Sequence, residues 1–127
     1  MNVADMYAKT KRWMYEKLTE EYWNEYVFEV MNHVLAELFD ENNMCRMWNG
    51  KNPLDEIPTV SALTDELTYE EEYLLHVIPL GLCAYFQIDD DLNRHSIYMT
   101  LYNNARVKHQ KMLSTAKIEE AINAVEG

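Results

Sequence analysis

The sequence predicts an all-α protein, a small helical bundle of four to five helices with one long irregular loop. Three observations predict it. Only three glycines and three prolines in 127 residues favour long helices over a turn-rich β architecture. Apolar residues recur at three- and four-residue spacing through most of the chain. The stretch LLHVIPLGLCAYFQI, from Leu74 to Ile88, is apolar nearly all round, as a central buried helix is. Length implies one domain, residues 1–114, followed by a C-terminal docking segment at residues 115–127.

The first helix is expected over Asn2–Leu18. Val3, Met6, Tyr7, Trp13, Met14 and Leu18 share one stripe, and Asn2 with Asp5 can cap its first turn. Thr19 is a good N-cap for a second helix, Thr19–Glu41. Trp23, Val27, Val30, Met31, Val34, Leu35 and Leu38 form its apolar face. That span holds seven carboxylates, Glu21, Glu25 and Glu29 among them, and no Lys or Arg. Its outer face is therefore strongly acidic.

Residues 40–68 read as irregular. Asn49-Gly50 tolerates positive φ and either closes a short hairpin or simply reverses the chain. The segment PLDEIPTV carries two prolines and should run extended. A loop this long in a compact domain implies a task. Thr68 and Glu71 have capping-box spacing, which starts the central helix at Tyr69 and carries it to Ile88. Pro79 removes the bond to the Leu75 carbonyl and should bend that helix. Gly81 permits a neighbour to approach closely.

Asp90 or Asp91 can cap a helix over Leu92–Leu113. Its stripe is Ile97, Tyr98, Leu101, Tyr102, Ala105 and Met112. From Arg94 to Lys117 there are five basic residues, including Arg106, Lys108 and Lys111, and no acidic ones. This helix is the electrostatic opposite of the second, and the two can pack within a subunit or between subunits. Ser114-Thr115 breaks it. Ile118, Ala121, Ile122 and Val125 then form a narrow stripe on a segment too short to be helical alone, so it needs a surface to dock on.

A formal charge of −11 disfavours non-specific binding of nucleic acid and anionic membranes. The stretch around Pro79 is too short and too interrupted to span a bilayer. No apolar leader is read in MNVADMYAKTKRWMYEK, so an intracellular or intravirion setting is expected. Cys45 and Cys83 form no CxxC pair and read as buried small apolar residues. Asp89, Asp91 and Asn93 begin like a calcium loop, but Arg94 replaces the glycine and Thr100 the bidentate glutamate. The aspartates therefore read as a cap. The four histidines lack HExxH or Glu-x-x-His spacing, and no nucleophile elbow, P-loop or dinucleotide fingerprint occurs. No catalytic residue, metal or cofactor is expected, and so no enzyme.

Three segments in order carry a resemblance: YWNEYVFEVMNHVLAELFDENN, then NGKNPLDEIPTVSALTDELTYEEEYLLHVIPLGLCAYFQIDDD, then IYMTLYNNARV. Over roughly Tyr22 to Val107 this resembles the head-to-tail connector, or portal adaptor, proteins of the tailed-bacteriophage neck. The resemblance implies a homo-oligomeric ring, typically dodecameric. Its partners would be the portal protein above and the next neck or tail-completion protein below. DNA passes through such a ring without sequence-specific binding, and the C-terminal segment docks on the portal. An acidic lining suits that conduit, because attraction to phosphate would stall transit. The alternative is an acidic helical protein that mimics DNA to inhibit a DNA-binding partner, or another small phage regulatory protein.

Overall fold

A computed structural model describes residues 1–14, 24–88 and 91–111. Among them are five helices: α1 (Val3–Trp13), α2 (Val27–Trp48), α3 (Glu71–His76), α4 (Ile78–Phe86) and α5 (Leu92–His109). The described residues contain no strand, only an isolated antiparallel bridge between Asn2 and Glu66. The protein is an all-α bundle with one long loop.

α4 is its centre. It packs on α1, α2, α3 and α5, and every residue except Tyr85 is buried. Leu82, Cys83 and Ala84 are wholly enclosed. Burying one such leucine contributes roughly 1.5–3 kcal/mol. Gly81 permits the tightest contact. A Cβ there would lie 2.8 Å from Cε1 of Tyr102 on α5.

The expected single helix over Tyr69–Ile88 is instead two helices. The chain breaks at Val77, whose φ of −116° leaves the helical range. Pro79 therefore falls in the first turn of α4, where no amide hydrogen is needed, rather than in a helix interior. The expected capping box at Thr68 is also absent, and α3 begins at Glu71. Tyr69 is buried with its hydroxyl on the Leu35 carbonyl, which holds the chain extended through Glu70. The Glu70 amide then donates to Asn42 Oδ1 at 2.8 Å.

α2 runs seven residues past the expected end at Glu41. Asn42 and Cys45 continue its buried face below Leu38. Asn42 accepts a hydrogen bond there, so a residue that usually favours loops is used inside a helix. Asn49-Gly50 ends α2 and closes no hairpin. Gly50 has φ +80°, its amide donates to Met47, and the Lys51 amide donates to Arg46. Those two bonds are the Schellman pattern.

The loop after α2 is extended, as expected, and strapped antiparallel along that helix. Asn43 takes the Leu54 amide at 2.8 Å and donates to the Leu54 carbonyl at 3.2 Å. Asn32 treats Val60 the same way, at 2.7 and 3.0 Å. Beyond Val60 the chain meets the start of α1, where Val3 donates to Asp65 and Ala4 to Leu63.

The capping box of Asn2 and Asp5 forms as expected. On α1, Val3, Met6, Tyr7 and Met14 are buried, but Trp13 is 42% exposed. Trp13 sits only ~20° around the helix from Met6, at the edge of the stripe and in the last turn, while Thr10 and Lys11 are buried as well. On α5, Tyr98, Tyr102 and Ala105 are buried, whereas Ile97 and Leu101 face solvent. α4 is a narrow, nearly all-apolar rod, and it covers only the Tyr98–Tyr102–Ala105 side of its neighbour. Asp91 caps α5 through the amides of Asn93 and Arg94. The expected continuation of α5 to Leu113, with Met112, lies outside the described residues. So do Leu18, the Thr19 cap, Trp23, Asp89, Asp90 and the segment 115–127.

Candidate functional site

Charge is concentrated at two half-buried seams. The first joins α2, α4 and α5. Glu37 Oε1 accepts from the Tyr102 hydroxyl at 2.6 Å, and the Tyr85 hydroxyl bridges both Glu37 oxygens at 2.9 and 3.0 Å. Arg106 forks onto Glu41 at 2.5 and 3.0 Å and lies 3.6 Å from Glu37. His33 lies 3.7 Å from Glu37 and meets the Tyr85 ring edge-on. Burial, reinforced by the Glu37 carboxylate, pushes the Tyr85 hydroxyl up to about 12, and Tyr102 further in the same direction. The paired Glu41 raises Arg106. Every titratable group of this seam with a shift is fixed further into its neutral-pH state, tyrosine as phenol and arginine as cation. That is the chemistry of a strut.

The second seam lies where the end of α2 meets α3. The Cys45 thiol donates to Glu72 Oε2 at 3.1 Å. Burial pushes that thiol up to about 12, while the thiol's hydrogen bond lowers Glu72. Glu70 is buried, with Lys51 Nζ at 3.0 Å and Arg46 Nη1 at 3.6 Å. Lys111 reaches Glu72 at 3.7 Å, and His76 stacks on His109 at 5.2 Å between ring centroids. A recess of about 760 Å³ opens here, lined by Arg46, Lys51, Glu70, Glu72 and His76 among others. Its acids and bases already neutralise one another. No group of three or more His, Cys, Asp or Glu among the described residues has the arrangement to hold a metal. No helix among them is long and apolar enough to cross a membrane.

The residues expected at an interface divide into three sets. Arg106 and Lys111 turn inward onto Glu41 and Glu72, and Arg94 donates to the Met14 carbonyl at 2.6 Å. The opposed helices therefore meet within one chain at Arg106 and Glu41. Glu25, Glu29 and Lys108 are exposed. Glu21, Ile118, Ala121, Ile122 and Val125 lie outside the described residues. Cys45 and Cys83 are buried free thiols, as expected.

Sequence reasoning placed Tyr102 on the apolar stripe of α5 but gave no strut to Glu37, Tyr85 and Tyr102. A signal was present, because the acidic i, i+4 pair Glu37 and Glu41 is complementary to the donor i, i+4 pair Tyr102 and Arg106. The partner helix of each pair was not legible from spacing.

The most visible outward feature is apolar. α5 exposes Leu92, Ile97, Leu101 and Val107 at 69, 59, 43 and 72%. Comparison with protein-family models, curated proteins and solved structures gave no match for this chain.

Proposed function

We propose that the chain is a structural subunit of a tailed-phage neck, a head-to-tail adaptor that forms a ring on the portal protein and surrounds the DNA channel. The observation that carries this reading is α5, which is apolar on its buried side and also on much of its exposed side. A helix of that kind is built to be covered, and isolated monomers seldom present one. The rigid inner struts fit the same role, since they fix the bundle as a building block and spend its buried charges on shape. The acidic balance of −11 suits a wall past which DNA slides. In this reading the protein resides in the virion neck and is assembled in the host bacterial cytoplasm.

A DNA mimic needs free carboxylates in a phosphate-like array. Glu37, Glu41, Glu70 and Glu72 are paired within the chain and leave such an array to exposed acids like Glu25, Glu29 and Asp40, so it is the exposed apolar side of α5 that favours the adaptor. The test is co-purification with portal rings followed by electron microscopy of the complex. An added ring coaxial with the portal is expected. A chain that stays monomeric and binds neither portal nor neck-bearing particles overturns the proposal.

A further inference from the structure

Two exposed stripes on different helices share one spacing. On α2 it is Glu29, His33, Ala36 and Asp40; on α5 it is Ile97, Leu101, Asn104 and Lys108. Both follow i, i+4, i+7, i+11 and so run about three turns along one side of a helix. We infer that these stripes are the two halves of a contact between copies of this chain, α5 of one copy lying along α2 of the next. This deepens the ring reading and rests on it.

Charge selects the occupant. α5 has no acidic residue between Leu92 and His109, and Lys108 is the exposed lysine on its stripe. The α2 stripe carries Glu29 and Asp40, and that helix has no Lys or Arg before Arg46. Placed side by side in the same sense, Lys108 meets Asp40 and Asn104 meets the small Ala36. Leu101 and Ile97 then cover the stems of His33 and Glu29, beside the half-exposed Tyr26. The reversed sense would set Lys108 against Glu29 and Leu101 against Ala36, so it is the direction of the two helices in the fold that selects the parallel sense.

Placement in the fold agrees. Glu37 pairs with Tyr102 and Glu41 with Arg106, so numbers rise together and α2 and α5 run in the same sense within one chain. Rotation about an axis along the helices keeps that sense, so the α5 of one copy meets the next α2 in parallel. Arg106 marks the side of α5 turned to α2, and Ile97, Leu101 and Lys108 lie roughly half a turn away from it. The α2 stripe lies opposite Met31, Leu35 and Leu38 on the core side. The α5 stripe faces away from α2 and the α2 stripe faces away from the core, so the contact joins two different patches; it is heterologous, the kind that closes into a ring when the rotation allows.

The test is sedimentation velocity on the full chain over a concentration series. It compares the wild type, Lys108→Glu, Asp40→Lys and the combined exchange. The wild type is expected to self-associate. Each single reversal should weaken association at least about tenfold, and the exchange should restore most of it, which a mere folding defect would not do. Single variants that associate like the wild type overturn the contact, as does a wild type that remains monomeric at its highest soluble concentration. Attachment to portal rings is scored separately. Attachment with indifferent single variants retires this contact and keeps the adaptor; self-association through the stripes without attachment does the reverse.

Discussion

The Lys9 ammonium donates to the Leu75 carbonyl at 3.0 Å, and that is the carbonyl Pro79 leaves without a helical partner. The bond ties α1 to the break between α3 and α4. Burial, with help from Arg12, lowers the Lys9 pKa, as expected for an ammonium held against the bundle. Lys9→Met should cost about 1 kcal/mol, read from urea unfolding. Pro79→Ala supplies an amide that can reach Leu75, so the same lysine change should cost less in that background. Equal costs in both backgrounds would show that the carbonyl is not what Lys9 serves.

The strap depends on asparagine side chains that imitate a strand edge. Asn32 both accepts from and donates to Val60. Asn32→Ala removes both bonds and should cost about 1–3 kcal/mol. Hydrogen exchange should rise around residues 54–62 while the helices keep their protection. Uniform loss of protection across the chain would show that the strap is part of the cooperative core.

Gly81→Ala opposes two effects. Helix propensity favours alanine by up to about 1 kcal/mol. The new methyl, however, would stand 2.8 Å from the Tyr102 ring, which is fully enclosed and anchored by its hydroxyl on Glu37. Overpacking of that kind costs about 1–3 kcal/mol, so a lower melting temperature is expected. A higher one would mean that Tyr102 has room to retreat.

Much of this bundle was legible in the chain. The Asn2–Asp5 box, the Asp91 cap, the close approach at Gly81 and the buried centre around Leu82 all follow from local chemistry. What failed was decided by tertiary partners. Asn42 stays helical because the Glu70 amide needs its oxygen, and Tyr69 prevents the Thr68 box because its ring is buried. Ile97 and Leu101 fit the apolar stripe of α5 by spacing, but α4 covers only part of that stripe. The inner pairing of Arg106 with Glu41 needed the packing of α2 and α5 on α4, which no single-helix pattern contains.

The stacked pair His76 and His109 sets an expected pH dependence. Burial first, then the neighbouring His76, and then Lys108 and Lys111, lower the His109 pKa, with Glu72 opposing them. A lowered folded pKa means that the unfolded chain binds the proton more readily. Its contribution to stability is therefore present above the ordinary imidazole value of about 6.5 and is lost as pH falls through that value toward the folded one. Glu72, also lowered, adds its own loss further into acid. Melting temperature should fall from neutral pH toward pH ~5, and His109→Asn should flatten the upper part of that fall. An unchanged slope in the variant would remove His109 from the account.

Glu37 is the node of the inner strut. It accepts from Tyr102 and Tyr85 and lies beside Arg106, and Tyr102 is wholly buried. Glu37→Ala leaves two phenol hydrogens without their acceptor and brings Arg106 to rely on Glu41 alone. Losing charge-assisted bonds and exposing buried donors in this way should cost about 3 kcal/mol. Tyr102→Phe removes a single bond and keeps the ring that fills the space over Gly81, so about 2 kcal/mol is expected. The combined variant has no stranded Tyr102 hydroxyl left. Its cost should be well below the sum, near that of Glu37→Ala itself, because the two changes remove one shared interaction. Urea midpoints of the four proteins give the coupling directly. Strict additivity would mean that Glu37 and Tyr102 act independently, and that the strut is two separate contacts rather than one network.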